Sequence, residues 1–246
     1  MPSAPRSADP LASAGPGELR RDALWGRRKG KKLSPRRLGL METLYRRLAL
    51  DPASPPPADV RSLFPVPIED ARLEIGFGGG ERLLAAARAA PATGFIGVEP
   101  FLNGMAKAVS AIADDDLHNV RLFDGDAALL LDWLPAAAFD EVDLFYPDPW
   151  PKKRHWKRRF VGPANLDRIS RLLRPGGVFR VASDIDSYVD WTLRHLIART
   201  DLFWTAERAD DWRLPFPGWT ETRYEAKAKA AGRRSAYLNF VKLDGS

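Results

Sequence analysis

The sequence predicts an α/β fold built on a mostly parallel, doubly wound sheet, and two observations carry that expectation. Short β-branched or aromatic runs alternate with Ala/Leu/Arg stretches of helical period, and the first run passes into the first stretch through a glycine-rich turn. Such alternation means crossover connections, which lay consecutive strands parallel. Strands are expected at 72–75, 94–98, 120–123, 141–146 and 178–182, with a last one at 235–243, and helices at 81–90 and 165–173 lie between them.

With 246 residues, 45% of them hydrophobic, the chain can bury one large core. Three regions are expected: a disordered Pro/Ser/Ala/Gly tail at 1–19, a basic arm with a Pro-rich link at 20–57, and a catalytic domain at 58–246. Lys and Arg number 38 against 32 Asp and Glu, a net charge of +6. Eleven of these cations fall between Arg20 and Arg47, against only Asp22 and Glu42, so the arm suits a polyanionic partner. The chain has no cysteine, which excludes disulfides, CxxC zinc sites, iron–sulfur clusters and any thiolate nucleophile. No apolar run is long enough to span a membrane, and the first thirty residues lack the apolar stretch of a signal peptide while carrying Asp9, Glu18 and Asp22. A cytoplasmic protein with no membrane partner and no resident metal is expected.

The first strand runs Leu73-Glu74-Ile75 into Gly76-Phe77-Gly78-Gly79-Gly80, and Glu81 opens a helix. Glycines there let the backbone approach a ligand, and the helix N-terminus offers unpaired N–H groups. Glu81 stands where a dinucleotide fingerprint places its third glycine, which suits no pyrophosphate. Glu74 can meet the cationic amino-acid end of a sulfonium cofactor. The second strand ends in Gly97-Val98-Glu99-Pro100, with a carboxylate for a ribose diol, and the third in Asp124-Gly125-Asp126, with one for an adenine amino group. Singly each acid reads as a cap or turn residue. In succession, with no phosphate-binding lysine, they indicate S-adenosylmethionine, held by Glu74, Gly76, Gly78, Glu99, Asp126 and Asp148.

The fourth strand leads into Tyr146-Pro147-Asp148-Pro149-Trp150-Pro151 and then Lys152-Lys153-Arg154-His155-Trp156-Lys157-Arg158-Arg159. Prolines fix the backbone around Asp148 and Trp150, and the two tryptophans, Trp150 and Trp156, with the cations from Lys152 to Arg159 suit base stacking and phosphate contacts. The run Pro147 to His155 resembles the signature of the bacterial tRNA (guanine-N7)-methyltransferases. The likeness covers roughly residues 25 to 243 and extends to Leu73–Glu81, Gly97–Pro100, Asn119–Ala127, Arg174-Pro175-Gly176-Gly177, Ala182-Ser183-Asp184 and Thr222-Arg223-Tyr224-Glu225.

That resemblance implies a Rossmann-like class I methyltransferase fold of about seven strands with an antiparallel C-terminal strand. It implies methyl transfer to N7 of the guanosine at position 46 in the variable loop of tRNA. Asp148 would be the active-site acid, and Lys152, Asp184, Thr222, Arg223, Tyr224 and Glu225 would bind substrate. Arg27-Arg28-Lys29-Gly30-Lys31 is similar to the family's Arg-Arg-x-Gly-Arg run, so Arg27, Arg28, Lys29 and Lys31 are expected to touch tRNA, with Lys153, Arg154, Lys157 and Arg158 on the loop. Without the resemblance, transfer to an exocyclic amino nitrogen of an RNA base fits the same residues, and a non-catalytic RNA-binding module fits the basic arm alone.

Overall fold

The computed structural model describes residues 28–221 and 223–244. Seven strands form one sheet: β1 (Asp70–Ile75), β2 (Thr93–Val98), β3 (Val120–Phe123), β4 (Phe139–Phe145), β5 (Leu173–Ser183), β6 (Leu202–Trp204) and β7 (Ala236–Lys242). Their order is β3-β2-β1-β4-β5-β7-β6; β1 to β5 run parallel, and β7 is antiparallel to both its neighbours. β6, only three residues long, is too short to read as a strand in the sequence. The Arg174–Gly177 segment, which precedes the strand expected at 178–182, is a bulge within β5, since Leu173 pairs with Phe139 and Val178 with Glu141.

Nine helices are assigned among the described residues: α1 (Pro35–Glu42), α2 (Leu44–Leu48), α3 (Glu81–Ala89), α4 (Leu102–Asp115), α5 (Ala127–Trp133), α6 (Pro163–Leu172), α7 (Asp186–Ile197), α8 (Asp210–Arg213) and α9 (Arg223–Ala230). α4 buries Met105, Ala108, Val109 and Ile112, one stripe of its surface, against the Phe77–Leu83–Phe95–Leu122 side of the sheet. α6 buries Leu166, Ile169 and Leu172 against the other side, with Leu73, Ile75, Val142 and Phe179. Both faces of the central strands are therefore covered, which is why β2 is buried at every position.

Residues 35–42 and 44–48 of the basic segment are helical and anchored. Arg36 reaches Ser110 at 2.8 Å and pairs with Asp114, both on α4, while the Leu50 N–H donates to the Leu122 carbonyl at 2.9 Å. The disordered tail expected at 1–19, and the arm up to Arg27, lie outside the described residues.

The strand order reverses between β1 and its two neighbours, β2 on one side and β4 on the other, so the loops after these strands diverge and leave a crevice at the carboxyl edge of the sheet.

Candidate active site

β1 ends against a turn in which Gly76, Gly78 and Gly80 have φ of 75°, 60° and 77°, values that side chains disfavour. The Gly76 N–H donates to the Val98 carbonyl at 2.7 Å. Glu99, at the end of β2, accepts from the Gly78 N–H at 2.7 Å with one oxygen and from the Phe101 N–H at 2.8 Å with the other. Burial raises the Glu99 carboxyl above its usual range, the two amides oppose this, and the charge of Asp148 adds to it. α4 closes the turn from behind: a Cβ on Gly104 would stand 2.2 Å from the Gly78 carbonyl oxygen.

In front of this turn lies a cleft of about 960 Å³ lined by Gly76, Gly78, Glu99, Asp126 and Asp148. These are the cofactor positions expected from the sequence, except Glu74. Asp126 also caps α5, accepting from the Ala128 N–H at 3.0 Å with one oxygen, so its second oxygen is the one that can face a ligand.

Glu74 is elsewhere. Leu73 and Ile75 face the α6 side, so Glu74 faces the α3 side, 7% exposed and outside the cleft lining. It is opposite Asp143 on β4, which is opposite Arg180 on β5, and Arg82 on α3 donates to Asp143 at 3.0 Å. Burial pushes the Glu74 carboxyl up to about 8; the charges of Arg82 and Arg180 act against this, and those of Asp143 and Glu141 with it. Because the folded value lies above the ordinary 4.5, the protonated carboxyl favours the fold at low pH, and that contribution is lost as pH rises through about 8. Melting temperatures of the ligand-free protein should therefore fall with pH more steeply between about 4.5 and about 8 than those of Glu74→Gln. Parallel curves for the two proteins would show that Glu74 does not titrate in this way.

The loop after β4 is shaped by two residues in the left-handed region, Tyr146 (φ 49°) and Trp150 (φ 43°), on either side of Pro147-Asp148-Pro149. Such strain persists only where the surroundings hold it. The Tyr146 N–H donates to the Ala182 carbonyl at 2.7 Å, and buried Arg159 reaches back to the Pro149 carbonyl at 3.0 Å while gripping Ser187 at 2.8 Å. Asp148 is thus presented at the cleft on a fixed arch, where partial enclosure raises its carboxyl from the usual value.

Trp150 lines the cleft under the Arg158 guanidinium, 5.0 Å from the ring centroid. Trp156, expected as a second stacking platform, is turned inward: its ring meets Trp191 at 5.5 Å and Arg159 at 4.6 Å. Arg158 and Arg159 are adjacent in a basic run, and only the fold separates the rim cation from the buried clamp.

The other expected contacts are dispersed. Arg28, Lys157 and Arg158 line the cleft, whereas Lys29, Lys31, Lys152, Lys153 and Arg154 are exposed outside its lining. Residues 28–31 lie across the N-terminus of α4, where Asn103 accepts from the Gly30 N–H at 2.6 Å and donates to the Lys31 carbonyl at 2.7 Å. Asn103 had no signal in the sequence. Asp184 is paired with Arg233 at 2.6 Å. Glu225 is 1% exposed and outside the cleft lining, and it accepts from Trp219, Tyr237 and Lys229. Arg27 and Thr222, with the side chains of Arg223 and Tyr224, lie outside the described residues. Among the described residues no His/Cys/Asp/Glu group is arranged to hold a metal ion, and no helix is long and apolar enough to cross a membrane.

Residues 69–238 match a family model described as "Putative methyltransferase". The chain is 58% identical over 219 residues to a tRNA (guanine-N(7)-)-methyltransferase of Rhizobium meliloti, covering 89% of this chain and 94% of that one. It is 57% identical over 222 residues to that of Chelativorans sp., covering 90% and 96%. With that of Nitrobacter hamburgensis it shares 52% identity over 238 residues, 97% of this chain and 91% of the relative.

Proposed function

The chain belongs to the tRNA (guanine-N(7)-)-methyltransferase family, and from that premise we propose how its residues carry the reaction: a methyl group passes from S-adenosylmethionine to N7 of the guanosine at position 46 in the variable loop of tRNA. The observation that carries this reading is the convergence of Glu99, Asp126 and the arched Asp148 on one cleft at the point where the strand order reverses.

The donor set fits the cofactor. Each Glu99 oxygen already holds one backbone amide and keeps lone-pair capacity for a ribose hydroxyl, and Asp126 has one oxygen left by its cap. The open turn at Gly76 and Gly78 admits a ligand that has no phosphates. When bound, S-adenosylmethionine supplies an electrophilic methyl group on a cationic sulfur.

Guanine N7 carries an in-plane lone pair and no proton. The N7–carbon bond forms as the carbon–sulfur bond breaks, the bonding pair leaves on sulfur, and the positive charge moves to the base. No general base is required, so positioning in line supplies most of the rate enhancement. Asp148 accepts from guanine N1–H and the exocyclic amine, which rejects adenine, and its charge stabilises the cationic product base. This role needs the carboxylate. As the Asp148 carboxyl is raised from its usual value, activity falls as pH drops through that raised value.

tRNA is held by cations on both sides of the cleft, Arg28 and Arg37 on the β2 side and Lys157 and Arg158 on the β4 side, and the protein works in the cytoplasm, where its substrate is. Arg28→Gln, Arg37→Gln and Lys157→Gln together should weaken tRNA binding whatever the sequence. The slope of log affinity against log salt should become shallower by about 0.7–0.9 for each phosphate that is no longer neutralised. Coincident salt titrations for mutant and wild type would remove these residues from the RNA-binding surface.

The reaction itself is tested by incubating tRNA with the enzyme and labelled S-adenosylmethionine and analysing the digested nucleosides by mass spectrometry. Labelled 7-methylguanosine is expected from one variable-loop position; a different methylated nucleoside would overturn the reading.

A further inference from the structure

We propose that Arg82 and Trp219 are positioning residues which lock the segment before α9 to the strands that carry the cofactor turn. The inference rests on the reading that residues 222–225 bind substrate, and it adds an anchoring role for Glu225.

Arg82 is the second residue of α3, next to the glycine turn. Its guanidinium donates to Asp143 on β4 at 3.0 Å, and its carbon lies 4.4 Å from the centroid of Phe145 and 4.7 Å from that of Trp219. One cation is thus shared by an aromatic ring at the end of β4 and one from the long connection between β6 and β7. The two rings also touch edge to face, 5.0 Å apart at 88°. A desolvated cation over aromatic faces is held more firmly than one in water.

From Trp219 the linkage continues to α9. The indole N–H donates to one Glu225 oxygen at 2.5 Å, and the Tyr237 hydroxyl donates to the other at 2.8 Å. Trp219 and Tyr237 pack edge to face at 5.3 Å. Glu225 therefore pins the first turn of α9, the helix that opens at Arg223, to the aromatic group above β4, β5 and β7. Lys227, two residues further along α9, lines the cleft, so this end of the helix borders the site. Burial raises the Glu225 carboxyl, but the donors from Trp219, Tyr237 and Lys229 hold it below the usual carboxylate range, so the anchor is an anion at neutral pH.

The linkage has a kinetic consequence. The cofactor contacts of Glu99 and Asp126 lie on the far side of the glycine turn, so loosening the Trp219–Glu225 bond should leave them intact while freeing the residues before α9. Trp219→Phe keeps an aromatic ring against Arg82 and Phe145 and deletes the donor, together with part of the indole's packing; Glu225→Gln removes no ring and so separates the two losses. It should raise the KM for tRNA and lower kcat by about tenfold in kcat/KM, the effect of one hydrogen bond to a charged acceptor. S-adenosylmethionine affinity measured by calorimetry should stay within about twofold of wild type, a change small beside that of one such bond. Amide hydrogen exchange should accelerate at residues 222–230 and not in β1 or β4. Glu225→Gln, a second route to the same loss, should behave alike, because it keeps the shape and weakens both bonds.

Arg223→Ala serves as the reference for the underlying reading. If it raises the KM for tRNA while Trp219→Phe and Glu225→Gln leave tRNA kinetics and hydrogen exchange at wild-type values, the linkage is refuted. If Arg223→Ala has no effect on tRNA kinetics, the substrate role of the segment fails; local acceleration of exchange in Trp219→Phe would then still support the anchor. A uniform loss of cofactor and tRNA affinity in Trp219→Phe would show that Trp219 is merely structural.

Discussion

Replacing Asp148 with alanine should cut turnover by on the order of a hundredfold or more, the scale seen when one preorganised group aimed at developing charge is removed. The melting temperature should change far less, because Asp148 makes no hydrogen bond on which the arch depends. The arch is held by the Tyr146 N–H bonded to Ala182 and by Arg159 bonded to Pro149 and Ser187. Asp148→Asn separates geometry from charge. It keeps the shape but presents one N–H₂ donor to guanine N1–H and the exocyclic amine, which are donors themselves, so it too should be slow. Near-normal turnover in the asparagine variant would show that Asp148 supplies geometry alone.

Glu99→Ala should weaken S-adenosylmethionine binding by about 1.5–3 kcal/mol, the cost of losing hydrogen bonds to a charged acceptor, while tRNA affinity stays nearly unchanged. The geometry makes the effect larger than the loss of a ribose acceptor, since both carboxylate oxygens hold backbone amides that shape the turn, those of Gly78 and Phe101. For the same reason Glu99→Gln should be no rescue: its amide nitrogen must confront one of these N–H donors. Calorimetric titration of the cofactor into both variants decides the matter. Wild-type affinity in either would dismiss Glu99 as a cofactor ligand.

Much of this site is legible in the sequence because the signals are local. A strand that ends in glycines, two more that end in Glu99 and Asp126, and a proline-locked loop around Asp148 fall at one edge of any doubly wound sheet. What stayed hidden depends on orientation. In Arg72-Leu73-Glu74-Ile75 the period of two already separates Glu74 from the apolar face, and Glu141-Val142-Asp143-Leu144 and Phe179-Arg180-Val181 repeat the pattern. Reading the three together would have set Glu74, Asp143 and Arg180 side by side across the sheet, as the register does. No such period exists in the run Lys152 to Arg159, whose six-residue 3₁₀ helix turns Trp156 and Arg159 inward and leaves its lysines in solvent. Nor does sequence spacing connect Trp219 with Arg82, because that contact forms only when the connection between β6 and β7 folds back over β4.

The central claim, that the acceptor is N7 and not an amino nitrogen, is tested most directly with two tRNA transcripts that differ at one atom. One carries guanosine at the variable-loop position and the other 7-deazaguanosine, in which N7 is replaced by carbon and the exocyclic amine is kept. With labelled S-adenosylmethionine the first should take up methyl and the second none, while both bind the enzyme comparably. Equal labelling of the two would contradict the account and assign the reaction to an exocyclic nitrogen.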